Sequence, residues 1–148
     1  MTSMLRIFAA AAALAAVPAA VQAQDAPALT GDWVGQTYTI VAGKGGHWPE
    51  SAGTFEKPGL FNVDITITIT GQEDRKFWGK SILHAEGGPT EEPFIGELMS
   101  DGKTVMIADT DGYFTGTIDG DTFSYCYAQA GGPSGSSVVS CTEVTRKP

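Results

Sequence analysis

Two kinds of apolar pattern divide this chain. From Ile7 to Val17 every residue is apolar, an unbroken run of 11 with Arg6 ahead of it and Pro18 behind it. Beyond Gln24 that pattern gives way to alternation, clearest where Val63, Ile65, Ile67 and Ile69 interleave with Asp64, Thr66, Thr68 and Thr70. A period of two places the aliphatics on one face of a strand and the polar residues on the other. Short runs rich in Val, Ile, Thr, Phe and Tyr recur between Gly, Asp and Pro, and no stretch of ten residues carries a helical period. The pattern predicts an all-β domain of eight strands, at roughly 31–41, 62–70, 75–84, 93–99, 103–109, 112–118, 121–128 and 137–146. Asp101-Gly102, Asp111-Gly112 and Asp119-Gly120 fall between runs, where a tight hairpin takes positive φ. Consecutive hairpins imply a meander, and closing an antiparallel meander into an up-and-down β-barrel removes its unpaired edges. A sandwich is the alternative.

The phase of each strand assigns its faces. In the seventh, Phe123, Tyr125 and Tyr127 point in and Thr122, Ser124 and Cys126 point out; in the eighth, Val138, Ser140, Thr142 and Val144 point in and Cys141 and Glu143 point out. An aromatic followed two residues later by glycine recurs at Trp33/Gly35, Phe77/Gly79, Phe94/Gly96 and Phe114/Gly116. Leu83, Leu98 and Ile118 continue the same phase, so this is the inner face. Inward glycines either let strands bend at barrel corners or leave space beside the aromatic layer.

The first apolar run has a different reading. A transmembrane helix needs about 20 apolar residues; a short core ending at Pro18 and followed by Val21-Gln22-Ala23 has the form of a cleavable secretory signal peptide, residues 1–23, with the barrel domain at 24–148. No Cys follows the cleavage site to carry a lipid anchor. The expected location is the periplasm or the medium. There Cys126 and Cys141, flanking a stretch of Gly, Pro and Ser, are read as a cross-strand disulfide; closing such a loop contributes about 3 kcal/mol. A reactive thiol pair or metal site is the competing reading.

Charge narrows the partners. The chain holds 9 basic and 17 acidic residues, a net −8, and loss of the leader removes only Arg6. Such a surface disfavours nucleic acid and anionic membranes and favours cationic partners.

Gly31-Asp32-Trp33 opens the first strand and Arg146 closes the last, and these strands are neighbours in a closed barrel. This arrangement resembles the lipocalin and avidin group of ligand-binding barrels. The resemblance implies that Trp33 packs beneath Arg146 as a structural plug of the barrel floor. The chain departs from lipocalins in lacking a helix after the eighth strand. It departs from avidins in having Val34-Gly35-Gln36 after the tryptophan, so biotin binding is not implied.

The long irregular stretch Ala42 to Leu60 holds His47, Trp48 and Phe55. Trp48 and Phe55 are candidate ligand contacts or a cover for the rim, and Tyr125 and Tyr127 add inward hydroxyls that need partners, water or a polar ligand. No enzyme and no cofactor is expected, since His47 and His84 sit in no nucleophile or metal-ligand motif. Asp109, Asp111, Asp119 and Asp121 could hold Ca²⁺ but lack the spacing of a defined loop. The leading expectation is an exported protein holding a small apolar or amphipathic ligand at the barrel mouth. The second is an interaction module, such as an acidic inhibitor of a hydrolase like lysozyme, or a homo-oligomer joined through an outward face of Trp78, Ile82, Ile95, Met99, Met106 and Tyr113. In that reading the Gly131 to Ser137 loop enters the partner's cleft.

Overall fold

The computed structural model describes residues 26–44, 52–131 and 135–148. The leader, His47, Trp48 and part of the Gly131 to Ser137 loop, including Pro133, lie outside the described residues. The chain forms strands β1 (Gly31–Ala42), β2 (Gly59–Glu73), β3 (Lys76–Ala85), β4 (Gly88–Leu98), β5 (Thr104–Ala108), β6 (Tyr113–Asp119), β7 (Thr122–Ala130) and β8 (Ser137–Arg146). They pair antiparallel in chain order, and β8 returns to β1 to close the barrel. Closure excludes the sandwich: Trp33 stands opposite Arg146 and Val41 opposite Val138.

The alternation read from the sequence is the alternation of burial. Ile65, Ile67 and Ile69 are buried on β2, Phe123 and Tyr125 on β7, and Val138, Ser140, Thr142 and Val144 on β8. Cys126 and Cys141 face each other across β7 and β8 and form the disulfide on the outer surface.

The inward glycines serve packing. A Cβ on Gly35, Gly79 or Gly116 would lie 2.4, 1.9 or 2.2 Å from a carbonyl oxygen of the adjacent strand, so these positions let neighbouring strands approach and bend. At Gly96 the space is taken by the Phe77 ring, 2.5 Å from where a Cβ would stand. None of the four leaves a void.

Two predicted features are corrected. Gly102 and Gly120 have positive φ, but Gly112 does not. It is required for a different reason: a Cβ there would meet the Tyr127 hydroxyl at 2.4 Å. Strand β4 begins at Gly88, well before the predicted 93, although Pro89 and Pro93 lie within it. Its register with β3 runs from Ala85↔Gly88 to Lys76↔Glu97, while its register with β5 starts only at Ile95. Both prolines therefore sit where β4 has no strand on its other side and break no β4–β5 ladder there.

The barrel is sealed at the end where β1 begins. Trp33 is fully buried, its ring meets Phe123 edge-on at 6.3 Å, and its Nε1–H donates to the Leu29 carbonyl at 3.0 Å. The Arg146 guanidinium lies 4.3 Å over the indole, donates to the Thr30 and Ala28 carbonyls, and pairs with Asp121. The β4–β5 turn at this end is held by Asp101, whose carboxylate accepts from the Thr104 hydroxyl and from the backbone N–H groups of Lys103 and Thr104. Those bonds hold its carboxyl well below the usual range, at about 2.

Candidate functional site

At the opposite end the interior changes from hydrocarbon to a mixture of apolar and polar groups, because the inward phase there falls on residues that the sequence makes polar. On β1 the positions after Trp33 and Gly35 in the same phase are Thr37 and Thr39; on β4 they are Glu92 and Thr90, preceding Phe94; on β7 the phase runs on through Tyr127 to Gln129. These side chains and the apolar Ile65, Leu83, Phe114 and Val138 line a cavity of about 580 Å³, counting the open solvent at its mouth. Much of that space is open solvent, so the enclosed part is small and a molecule held there would be compact and partly exposed.

The walls differ in chemistry. On the β1–β8 side Thr39 Oγ1 lies 3.1 Å from Thr37 Oγ1 and 2.9 Å from Ser140 Oγ. Thr39 has one hydroxyl proton, so it donates to one neighbour and accepts from the other. Across the barrel, carboxylate oxygens of Glu92, Asp109 and Asp111 all lie within 4.8 Å of one another. This is the place where β4 has separated from β5, and side chains rather than a strand ladder bridge the gap: Thr110 Oγ1 donates to Glu92 Oε1. Asp109 Oδ1 accepts from the backbone N–H groups of Asp111 and Gly112. Asp111 accepts from the Tyr127 hydroxyl at 2.9 Å and from Gln129 Nε2 at 2.6 Å.

The two tyrosines therefore sit in different settings. Burial, the charges of Asp109, Asp111 and Glu92, and the bond to Asp111 push the Tyr127 phenol above its ordinary range. Burial does the same to Tyr125. The Tyr125 ring packs against Phe114 and Phe123 at 5.3 and 4.8 Å, yet its buried hydroxyl has no hydrogen-bond partner among the described residues. Tyr125→Phe is accordingly expected to leave stability unchanged or raise it by up to about 1 kcal/mol, because it removes an unsatisfied group. Tyr127→Phe strips a donor from Asp111 and is expected to cost about 1–2 kcal/mol. Urea denaturation of the two variants reads the contrast.

Of the residues singled out from sequence, Tyr125 and Tyr127 line the cavity. Phe55 does not; it is 80% exposed, because the described part of its loop folds on itself through the Gly53–Pro58 bridge and turns the ring to solvent. The four aspartates do not meet: Asp109 and Asp111 flank the β5–β6 turn, whereas Asp119 and Asp121 flank the β6–β7 turn at the sealed end. Glu92 is the acidic residue that sequence reasoning missed, and its signal was present, two residues from the inward Phe94.

Fold and cavity together define a class: a closed eight-stranded up-and-down barrel, sealed at one end and cupped at the other. Comparison with known proteins finds no matching family model, no matching curated sequence and no matching solved structure.

Proposed function

We propose that this protein is an exported binding protein that holds a small amphipathic molecule in the open end of its barrel. The observation that carries the reading is the cavity, in which apolar side chains from β2, β3, β6 and β8 share one space with a hydroxyl wall and a carboxylate wall. A core built only for stability gains from filling such a space with hydrocarbon. The leader-like residues 1–23 and the Cys126–Cys141 disulfide support a location in the periplasm or outside the cell. The Trp33–Arg146 floor supports kinship with the lipocalin and avidin barrels, which also bind ligands at the end away from such a plug.

The test is an amide NMR titration with 4-ethylphenol, a small neutral amphipathic probe. Saturable shifts are expected at cavity residues such as Leu83, Phe114, Tyr125 and Val138. Shifts scattered over the outer surface, or none at millimolar probe, would remove the reading.

A second reading rests on the outer face of β3–β6, where Trp78, Ile95, Met106 and Tyr113 are 46–69% exposed on adjacent strands. Such a face fits a protein partner or a second copy of this chain. Trp78→Lys is expected to shift the mass measured by light scattering if copies pair there; a monomer both before and after removes the pairing.

A further inference from the structure

The outer face of β3–β6 has the anatomy of an interface, an apolar centre inside a polar rim. Trp78 stands opposite Ile95, Ile95 opposite Ala108 and Ala108 opposite Tyr113, so one outward apolar row crosses four strands. Met106 lies beside the row, and Met99, 54% exposed, lies toward the sealed end. The bare surface of Trp78, Ile95, Met99, Met106 and Tyr113 comes to about 600 Å², the upper end of what monomeric proteins leave uncovered. A stable interface takes about 800 Å² from each partner, and about 65% of it is apolar in homodimers. The face supplies that share.

Its charges decide what covers it. Lys80 bonds Glu91 at 2.8 Å, Lys103 bonds Asp119 at 2.9 Å, and Arg75 lies 3.9 Å from Glu97. Lys76 stands directly opposite Glu97 in the register. The rim is therefore close to neutral on a chain whose net charge is −8. Two copies repel one another through the rest of their surfaces and can meet through this one. A cationic partner gains little from it, because these carboxylates already have a base. A second outward apolar group, Tyr38, Ile40, Leu60 and Val139 on β1, β2 and β8, is a poorer meeting place for two copies. Asp64 and Glu143 point outward beside it, and among the described residues their side chains bond only the neutral Gln36 and Ser124.

We propose that a second copy of this chain seats on the outer face of β3–β6 in an isologous contact, with Ile95 close to the two-fold axis. Ile95 is the most exposed member of the row and is flanked by Trp78 and Ala108. A residue at such an axis meets its own counterpart. This rests on the reading of the face as an interface and names its occupant.

Sedimentation equilibrium of the full barrel, from micromolar to millimolar concentration, tests it. The mass is expected to rise to twice that of one chain and stop there, because a two-fold contact consumes its own surface. Raising sodium chloride from about 0.02 to about 0.3 M is expected to tighten pairing severalfold, since salt screens the repulsion between two acidic chains and leaves the apolar contact in place. Ile95→Lys and Ile95→Glu are each expected to loosen pairing about thirtyfold or more. An equimolar mixture of the two is expected to pair better than either alone, because only the mixed pair sets opposite charges at the axis. Ile95 is 69% exposed, so neither variant disturbs the core. A monomer at millimolar concentration overturns the second copy and leaves the face to a foreign partner. Pairing that both variants leave unchanged, with NMR cross-saturation falling on Tyr38, Ile40 and Val139, overturns the proposal and the reading of the face together. A mass that grows past twofold, a mixture no better than either variant, or pairing that salt weakens overturns the neutral two-fold contact.

Discussion

Replacing Trp33 with alanine is expected to lower the stability of the barrel by about 4 kcal/mol, the scale for emptying a fully buried aromatic position. The indole is the largest fully buried side chain of the sealed end and touches each part of it. Its edge packs against Phe123, its Nε1–H holds the Leu29 carbonyl, and its face carries the Arg146 guanidinium. Leu29 is itself fully buried although it precedes the first strand, and the tryptophan holds this segment over the floor together with Arg146, which donates to the Ala28 and Thr30 carbonyls, and Gln72, whose Oε1 accepts from the Leu29 N–H. Trp33→Phe keeps the ring contact and loses the hydrogen bond, and about half the loss is expected. Urea denaturation checks both; a loss below about 2 kcal/mol for the alanine variant would show that the floor collapses onto the gap or that the segment at Leu29 is held by other contacts.

The second large effect is expected from Cys126→Ala combined with Cys141→Ala, a loss of about 3 kcal/mol for a cross-link spanning 15 residues. The two cysteines are directly opposed in the β7–β8 register, with Cα atoms 4.0 Å apart, and both lie on the exposed face. Their removal opens no cavity in the core, so the cost arises in the unfolded chain, which regains the freedom the bridge denied it. The denaturant slope should rise in the double variant, since an uncross-linked chain exposes more surface on unfolding. The shape of the cavity should be unaffected, because the bridge faces away from it. An unchanged unfolding free energy, the product of slope and midpoint, would mean that the bridge imposes a native-state cost equal to its benefit.

Much of the barrel was legible because strand phase is a local property. Once Ile65, Ile67 and Ile69 are set inward, or Phe123 and Tyr125, the direction of each neighbour along the strand follows from the pleat. The same phase would have turned Glu92, Gln129, Thr37 and Thr39 inward had it been carried past the aromatic residues that anchor it. The cluster of four aspartates was misleading for a topological reason. In an up-and-down meander successive turns alternate between the two ends, so nearness in sequence across β6 places Asp111 and Asp119 at opposite ends.

By itself the sequence determined the strand count, the inward and outward faces and the opposition of Cys126 and Cys141 across a hairpin, since each follows from a period of two and the chain order of hairpins; barrel closure, and with it the pairing of Trp33 with Arg146, it left open against a sandwich. Only the tertiary structure decided that the sheet closes, that β4 leaves β5 above Ile95, that Glu92 from one side of that gap meets Asp109 and Asp111 from the other, and that the Tyr125 hydroxyl is buried without a hydrogen-bond partner among the described residues. Those contacts depend on barrel closure and on where unequal strands cease to pair, quantities fixed by packing across the whole sheet rather than by any one segment.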